Sequence, residues 1–296
     1  MNTIEKALLK KQSDSQVNSE HLAEPQKSSS IERADQQQLT QSKPAESTQE
    51  NDSQFVQIDL DKLNAKGFVS NSTNRRLINE EYRAIKRKVL DNAFGALSKS
   101  LNNSNIIMVT SSRPSEGKTF TAINLALSIA LEKDKTVLLV DADVLRPNVM
   151  RTLELPNDQG LMEYLLGEKS DISEILCRTN IPNLRIIPAG QSHHLSTELL
   201  ASEKMYQAVE EFASRYPDRV VIVDTPPLLG INETAILANL AGQAIVVTEE
   251  YKSKMSDIQK AVSQLNPDMA IGFVVNKAQS SDNDGAGYGY YYAGAH

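Results

Sequence analysis

The chain has 296 residues, a formal net charge of −7 and a single cysteine. This length allows one large α/β domain with an extension, the acidic balance argues against a nucleic-acid surface as the main function, and one cysteine excludes a disulfide framework or a cysteine-rich zinc site. Because no apolar run approaches the ~20 residues that span a bilayer, we expect a soluble, cytoplasmic protein that reaches a membrane only through a partner.

The N-terminal residues 1–57 are rich in Gln, Ser and Glu and contain few large apolar side chains. They bury too little surface to offset the entropy of ordering, so we expect a largely disordered extension. Residues 2–11 could form a short helix that docks on a partner, or equally a frayed terminus. Residues 55–60 alternate like a short strand or an ordered docking segment.

A helix is predicted over residues 79–90. Its apolar face is formed by Tyr82, Ile85 and Val89, and its cationic flank by Arg83, Lys86 and Arg87. From the spacing alone, a solvated helix face with Glu–Lys pairs is the favoured interpretation.

The most informative segment is residues 106–119, where an apolar strand runs into a loop that ends in Gly-Lys-Thr. A helix is predicted to follow over residues 120–133. This is the strand–loop–helix of a phosphate-binding loop, although Ser112 stands where the first glycine is usual. Backbone N–H groups of such a loop bind phosphates, Lys118 supplies a cation, and the Thr119 hydroxyl is a ligand for Mg²⁺.

Two further apolar strands end in carboxylates. Residues 136–140 lead into Asp141 and Asp143, and residues 219–223 lead into Asp224. In an open α/β sheet, ligands bind at the carboxyl ends of the strands. A lone Asp at such an end more often caps a helix or turn, but three ends in this order predict a site for a nucleoside triphosphate and Mg²⁺.

The remaining core alternates strands with helices, which predicts a doubly wound, mostly parallel sheet flanked by helices over residues 58–278. We find no hairpin signal. The further strands are predicted at residues 184–188, 243–247 and 271–276, and the further helices at residues 161–166, 197–216, 233–240 and 256–265.

Residues 279–296 form a tail in which tyrosines are interleaved with glycines. Four of the nine tyrosines of the chain fall within five residues: Tyr288, Tyr290, Tyr291 and Tyr292. They lack the spacing of core tyrosines, so the flexible tail could be a sticky aromatic patch, a stacking surface or a set of hydroxyls for phosphorylation. An ATP site in the same chain favours phosphorylation.

These motifs resemble those of the bacterial tyrosine kinases, over residues 79–296. The loop from Ser112 corresponds to Walker A, residues 140–147 to the Asp motif Walker A′, residues 223–227 to Walker B, and the tail to the autophosphorylated cluster. The resemblance is to the stand-alone cytoplasmic type, which is related to the Min/Par ATPases and acts in exopolysaccharide production. Residues 4–8 are similar to kinases paired with exosortase-type polysaccharide loci.

The resemblance implies a role for individual residues. It implies that ATP and Mg²⁺ are the ligands, that the tail tyrosines accept phosphate in trans, and that the helix at Glu80, Arg83 and Lys86 assembles copies into a ring. Which Asp orients or deprotonates the phenol stays open. The implied catalytic residues are Lys118, Asp141, Asp143 and Asp224, the metal ligands are Thr119 and the same three Asp residues, and the nucleotide-binding residues are Ser115, Glu116, Gly117, Lys118, Thr119, Phe120, Arg146 and Asn276.

The chain departs from the family pattern at four positions. Ser115 stands where the loop usually has glycine, and Arg113 stands where the Min/Par ATPases have their signature lysine. Leu145 replaces an arginine often found after the second Asp, and Lys86 replaces an arginine of the assembly helix. A bidentate contact would not survive that last exchange.

The implied partners are other copies of the chain, a membrane activator of a polysaccharide export system that recruits the chain to the inner face of the membrane, and a phosphotyrosine phosphatase, with no nucleic acid. Two alternatives remain. One is a Min/Par-like switch ATPase, and the other is a non-catalytic, nucleotide-gated scaffold of a polysaccharide export complex.

Overall fold

The structure, a computed structural model, describes residues 54–70, 76–156 and 159–279. The predicted helix at residues 2–11 and the tyrosine cluster lie outside these residues. Among the residues that are described, none of the helices is both long enough and apolar enough to cross a bilayer.

Eight strands form one sheet in the spatial order β1-β4-β5-β3-β6-β2-β7-β8. All neighbours are parallel except β4 and β5, which are antiparallel. The predicted mostly parallel sheet is therefore confirmed. The strands are β1 (Phe55–Val56), β2 (Ile106–Ser111), β3 (Thr136–Asp141), β4 (Cys177–Thr179), β5 (Leu184–Ile187), β6 (Arg219–Asp224), β7 (Gln243–Glu249) and β8 (Ala270–Asn276).

Helices cover both faces of the sheet, because successive side chains of its buried strands point to opposite faces. In β2, Ile106 and Met108 enter one core cluster, while Ile107 and Val109 enter the other. The helices are α1 (Leu60–Ala65), α2 (Leu77–Phe94), α3 (Lys118–Ala130), α4 (Val149–Thr152), α5 (Leu161–Leu166), α6 (Ser196–Leu200), α7 (Glu203–Ser214), α8 (Asn232–Ala238) and α9 (Met255–Val262).

Several elements differ from the sequence expectation, among them the short helices α1 and α4, which were not predicted. The helix predicted over residues 197–216 is two helices, α6 and α7, because the Ser202 hydroxyl accepts a hydrogen bond from Met205 N and caps α7. The short antiparallel strand β4 was missed, and with it the one reversal of direction in the sheet. Of residues 55–60, only Phe55–Val56 form a strand, β1, which pairs with β4 just ahead of the predicted domain start at residue 58, and Leu60 already begins α1.

The assembly helix also differs from the expected solvated face. Lys86 is only 6% exposed. Its ammonium lies 2.5 Å from the Glu132 carboxylate and donates to the Ser128 carbonyl oxygen at 3.1 Å. Lys86 therefore belongs to the packed side of α2, where it joins α2 to α3, and not to the exposed basic flank.

Candidate nucleotide-binding site

The loop between β2 and α3 requires glycine at its last position. Gly117 has a φ of 103°, in the left-handed region. A Cβ atom built on it would lie 1.8 Å from Nδ2 of Asn276. Ser115 adopts a φ of 68° although it is not a glycine. The backbone thus turns sharply twice before Lys118 begins α3 and leaves N–H groups at the helix start for an anion.

Glu116 holds the loop from within. Its buried carboxylate accepts hydrogen bonds from the Ser112 hydroxyl at 2.9 Å and from Arg113 N at 2.7 Å. It also accepts one from the hydroxyl of Ser253, which follows β7. The side chain of Glu116 therefore shapes the phosphate loop, and only its backbone is left to face a ligand.

The end of β8 is attached to the same loop. Nδ2 of Asn276 donates to the Glu116 carbonyl oxygen at 2.9 Å, and Nζ of Lys277 donates to the Ser115 carbonyl oxygen at 2.8 Å. Lys277 also forms an ion pair with Glu249 at 2.8 Å. Asn276 was predicted as a nucleotide-binding residue; here it supports the loop that would hold the phosphates. Lys277 was missed, because a lysine after a strand has no distinctive sequence signal.

The charged centre lies where β3 and β6 end. Nζ of Lys118 is 2.5 Å from Oδ2 of Asp143, and the Thr119 hydroxyl donates to Oδ2 of Asp224 at 2.6 Å. Oδ1 of Asp224 is buried and has no hydrogen-bond partner. The three predicted strand ends therefore do meet at one place.

Asp141 has a different setting from Asp143. It is fully buried and accepts hydrogen bonds from the backbone N–H groups of Asn148 and Val149, at 3.1 and 2.9 Å, and from Asp143 N at 3.2 Å. These bonds hold the turn that aims Asp143. Asp143 lines the cleft, whereas Asp141 lies behind it.

The electrostatics of this centre indicate a deficit of positive charge. Burial, followed by repulsion from Asp224, raises the pKa of Asp141 to about 8. Burial also raises the pKa of Asp224 to about 6, although Lys118 and the Thr119 hydroxyl oppose the shift. Burial lowers the pKa of Lys118, but attraction to Asp224 and Asp143 outweighs it and raises that pKa overall. A bound cation would relieve the charge repulsion.

The donor set fits Mg²⁺ coordinated largely by phosphate and water. Within the described residues, no three His, Cys, Asp or Glu side chains converge as a ready-made metal site. Mg²⁺ in phosphate sites commonly takes one or two protein ligands and fills its octahedron with phosphate oxygens and water. The Thr119 hydroxyl and the unpaired Oδ1 of Asp224 suit that role. The other two predicted ligands are engaged, Asp141 by backbone N–H groups and Asp143 by Lys118.

The centre opens into a cleft of about 780 Å³. Of the predicted nucleotide-binding residues, Ser115, Gly117, Lys118, Thr119, Phe120 and Arg146 line it. Sequence reasoning missed Phe68, whose ring centroid is 4.8 Å from that of Phe120, and Arg151, which adds a second arginine to the wall. Phe68 lies in a connecting segment without periodicity, so only the folded chain reveals its place.

Two of the three predicted assembly residues are exposed. Glu80 and Arg83 form an ion pair of 2.7 Å on the surface of α2, while Lys86 is buried. Arg113, where the Min/Par ATPases have a lysine, is bound at 2.6 Å to Asp257 of α9.

Comparisons with known proteins agree with this geometry. Residues 104–270 match the family model described as an AAA domain. The tyrosine-protein kinase YwqD of Bacillus subtilis is 30% identical over 228 residues, which cover 76% of this chain and 91% of that protein. The putative tyrosine-protein kinase EpsB of Ralstonia nicotianae is 33% identical over 192 residues, 64% of this chain. The chain spans about a quarter of the length of EpsB.

A solved structure has the same fold. The kinase domain of the Escherichia coli tyrosine kinase ETK superposes with a TM-score of 0.59 at 25% sequence identity. The match covers 80% of this chain and 93% of that domain. The overall fold thus recurs in a tyrosine kinase domain.

Proposed function

The chain belongs to the AAA domain family and, within it, to the bacterial tyrosine kinases, and on that premise we propose that it is an ATP-dependent protein-tyrosine autokinase. Its acceptors are Tyr288, Tyr290, Tyr291 and Tyr292 of a neighbouring copy. The observation that carries the proposal is the charged centre of Lys118, Thr119, Asp143 and Asp224, which lies in an open cleft beside the segment that leads into the tail.

The residues of this centre divide the work of phosphoryl transfer. Such a reaction needs alignment and charge neutralisation more than covalent help. The loop N–H groups and Lys118 would bind and orient the phosphates, and Thr119 with Asp224 would hold the metal. Mg²⁺, when bound, neutralises charge on the phosphates. Asp143 faces the cleft, so it is the better placed carboxylate to orient the incoming phenol, whose pKa of ~10 leaves it protonated at neutral pH.

The tail is long enough to reach a catalytic centre in the same copy or in another. Lys277 is bound to the loop, and Tyr288 follows it by 11 residues (288 − 277). An extended chain of that length reaches ~36 Å. Reach therefore permits both routes, and transfer in trans is supported by the family resemblance.

The first experiment is incubation with ATP and Mg²⁺ followed by intact and tail-peptide mass spectrometry. We expect phosphate on the tail tyrosines of the wild-type chain and none on a Lys118→Met chain. Steady release of ADP by the protein, with no phosphate on its tail, would favour the switch ATPase instead. A chain that binds ATP but neither hydrolyses it nor phosphorylates its tail, even when a candidate activator segment is added, would favour the scaffold.

The route of transfer is tested by mixing two full-length variants. The donor has its four tail tyrosines changed to Phe, and the acceptor carries Lys118→Met with an intact tail. Phosphorylation of the acceptor demonstrates transfer in trans. Transfer in trans would be contradicted if the acceptor stayed unmodified while the tail of the wild-type chain was phosphorylated at a rate independent of protein concentration.

The wider setting is part of the proposal. The chain acts in the cytoplasm in exopolysaccharide production, where a membrane activator recruits it and a phosphatase resets it. The support is the resemblance of its motifs to the stand-alone kinases of such systems. Co-purification of the chain with an activator segment in the presence of ATP, and its loss in Lys118→Met, tests the first of these partners.

A further inference from the structure

A second cavity, of about 240 Å³, lies away from the nucleotide cleft. Its lining includes Arg219, the first residue of β6, whereas Asp224 of the charged centre is the last residue of the same strand. Five residue steps along a strand measure ~17 Å. The cavity therefore lies toward the amino-terminal end of β6, opposite the end that carries the nucleotide site, and the two sites share no lining residue.

Four arginines line this arginine cavity: Arg178, Arg185, Arg215 and Arg219. The one carboxylate in the lining, Glu211, forms an ion pair with Arg215. Within the part of the chain that the structure describes, the other three arginines form no ion pair with a carboxylate. The arginine cavity therefore carries an excess of positive charge.

The arrangement of two of these arginines is unfavourable for folding. Arg178 of β4 lies directly opposite Arg185 of β5 in the antiparallel pair. Like charges at opposed positions of a sheet are destabilising. The pKa of Arg185 is lowered, mainly because its guanidinium is partly buried and to a lesser extent because Arg178 carries the same charge. Arg185 also donates hydrogen bonds to the carbonyl oxygens of Pro182 and Leu184, at 3.0 and 3.1 Å, and these hold its guanidinium in place against the repulsion.

Apolar and aromatic groups line the same cavity. Leu138 and Phe212 are buried in the core, and Leu176 is partly buried beside them. The guanidinium of Arg219 lies 3.9 Å from the ring centroid of Tyr216. The cavity thus combines several cations with an apolar wall, and its volume is below the ~300 Å³ at which pockets for drug-sized ligands begin.

We propose that the arginine cavity binds phosphotyrosine. A guanidinium group can bind two phosphate oxygens at once, and the accessible part of the apolar wall, formed by Leu176 and the exposed ring of Tyr216, suits an aromatic ring. A phosphate without a ring would leave this part of the wall uncovered. This inference rests on the proposed function, because that function makes phosphotyrosine in the tail of the same protein.

The first test measures binding of synthetic peptides by fluorescence anisotropy. The protein is the full-length chain with its four tail tyrosines changed to Phe, and ADP with Mg²⁺ fills the nucleotide cleft. We expect a peptide of residues 285–295 phosphorylated at Tyr290 to bind at least tenfold more tightly than the same peptide without phosphate. Equal affinities would overturn the proposal. No phosphoryl donor is present, so an inactive kinase would not change this result.

Substitutions assign the binding to the cavity. Arg178→Gln combined with Arg185→Gln is expected to weaken phosphopeptide binding about tenfold or more, because two charge-assisted contacts are removed. The midpoint of thermal unfolding should change little, because the double variant removes a like-charge pair but also the hydrogen bonds from Arg185 to the Pro182 and Leu184 carbonyl oxygens. Arg87→Gln, an exposed arginine of α2, is the matched control and should bind as the parent chain does. Unchanged binding in the double variant would overturn the assignment.

Two further probes define the ligand. A phosphoserine peptide and inorganic phosphate should both bind much more weakly than the phosphotyrosine peptide, because neither covers the apolar wall. If either binds as tightly, the ligand is not phosphotyrosine. A phosphotyrosine peptide of unrelated sequence tests whether the site prefers the tail of this chain. Equal affinities for the two peptides would show that the cavity accepts phosphotyrosine from any protein, and tighter binding of the tail peptide would show a preference for this tail.

Discussion

At the scale of single residues, the phosphate loop holds a serine in a conformation that favours glycine. Ser115 has a φ of 68°, and its carbonyl oxygen accepts the hydrogen bond from Lys277. The left-handed conformation costs a residue with a Cβ about 1–2 kcal/mol. The family resemblance identifies Ser115 as a departure, and the backbone angle explains why glycine is the usual residue.

Ser115→Gly should therefore stabilise the protein. Part of the relief is offset by the greater freedom of glycine in the unfolded chain, so we expect the free energy of unfolding to rise by about 0.5–1 kcal/mol. Urea unfolding of the nucleotide-free protein measures it. Ser115→Ala keeps the Cβ and is the matched control; an equal gain from Ala would show that the backbone angle is not the cause.

The buried carboxylate of Asp224 is expected to favour metal binding at the expense of stability. Burial raises the pKa of Asp224 to about 6 in the folded protein. The contribution of the protonated carboxyl to the free energy of unfolding is therefore fully present below about pH 4 and is lost as the pH rises through 6. Asp224→Asn should then raise the free energy of unfolding at pH 8 by on the order of 1–3 kcal/mol, with little change at pH 4.

The same variant separates stability from function. Unfolding in EDTA at pH 4, 6 and 8 measures the gain, and ADP with Mg²⁺ should raise the unfolding midpoint of the wild-type chain but not of Asp224→Asn. The exposed Asp134→Asn is the control for loss of a negative charge. A variant that is destabilised at pH 8 would contradict the assignment of Asp224 as an uncompensated charge.

At the scale of elements, the sequence predicts the buried parallel strands and the helices between them because their apolar runs are continuous and well separated. It predicts the three Asp residues for the same reason, since the strand ends are visible. It does not distinguish α6 from α7, because the Ser202 cap lies inside an unbroken helical pattern. The strand β4 has three residues, too few for a period to show.

The packing of α2 on α3 yields a test at this scale. Lys86→Met keeps the apolar stem but removes the ammonium that binds the Ser128 carbonyl and Glu132. Leaving a buried acceptor unpaired costs about 1–3 kcal/mol, so we expect a loss of that size in urea unfolding with nucleotide affinity unchanged. Lys88→Met, on the exposed side of α2, should lose nothing. Equal stability of the two variants would show that Lys86 is not part of the packing.

At the scale of the whole molecule, the arginine cavity shows what a sequence cannot reveal. Its four arginines come from two antiparallel strands, the end of α7 and the start of β6. No spacing joins them along the chain, and each alone is typical of a solvated surface. The charged centre, by contrast, was predictable because its residues all follow strands whose order the fold class implies.

Assembly through α2 is expected to depend on Arg83. Glu80 and Arg83 are about half exposed and bind only each other among the described residues, so both are accessible to a neighbouring copy. Arg83→Ala should lower the oligomer fraction in sedimentation velocity and slow tail phosphorylation at least tenfold, with ATP affinity unchanged. Lys88→Ala, which removes an exposed positive charge from another side of the same helix, is the control. An Arg83→Ala chain that stays oligomeric would remove α2 from the proposed interface.

Phosphorylation of the tail should in turn cause the oligomer to dissociate into monomers. Each phosphate adds about −1.5 to −2 charges at neutral pH, so four modified tyrosines add about −6 to −8. The chain already carries −7, and the copies of a ring would then repel one another strongly. If the arginine cavity binds phosphotyrosine as proposed, one cavity per copy compensates for one phosphate, so we expect a singly modified tail to be held and a fully modified one to be repelled. We expect sedimentation to show oligomers for the unmodified and singly modified chain and monomers for the fully modified one, with oligomers restored at 1 M salt because screening shortens the reach of repulsion to ~3 Å. A fully phosphorylated chain that remains oligomeric at low salt would refute this cycle.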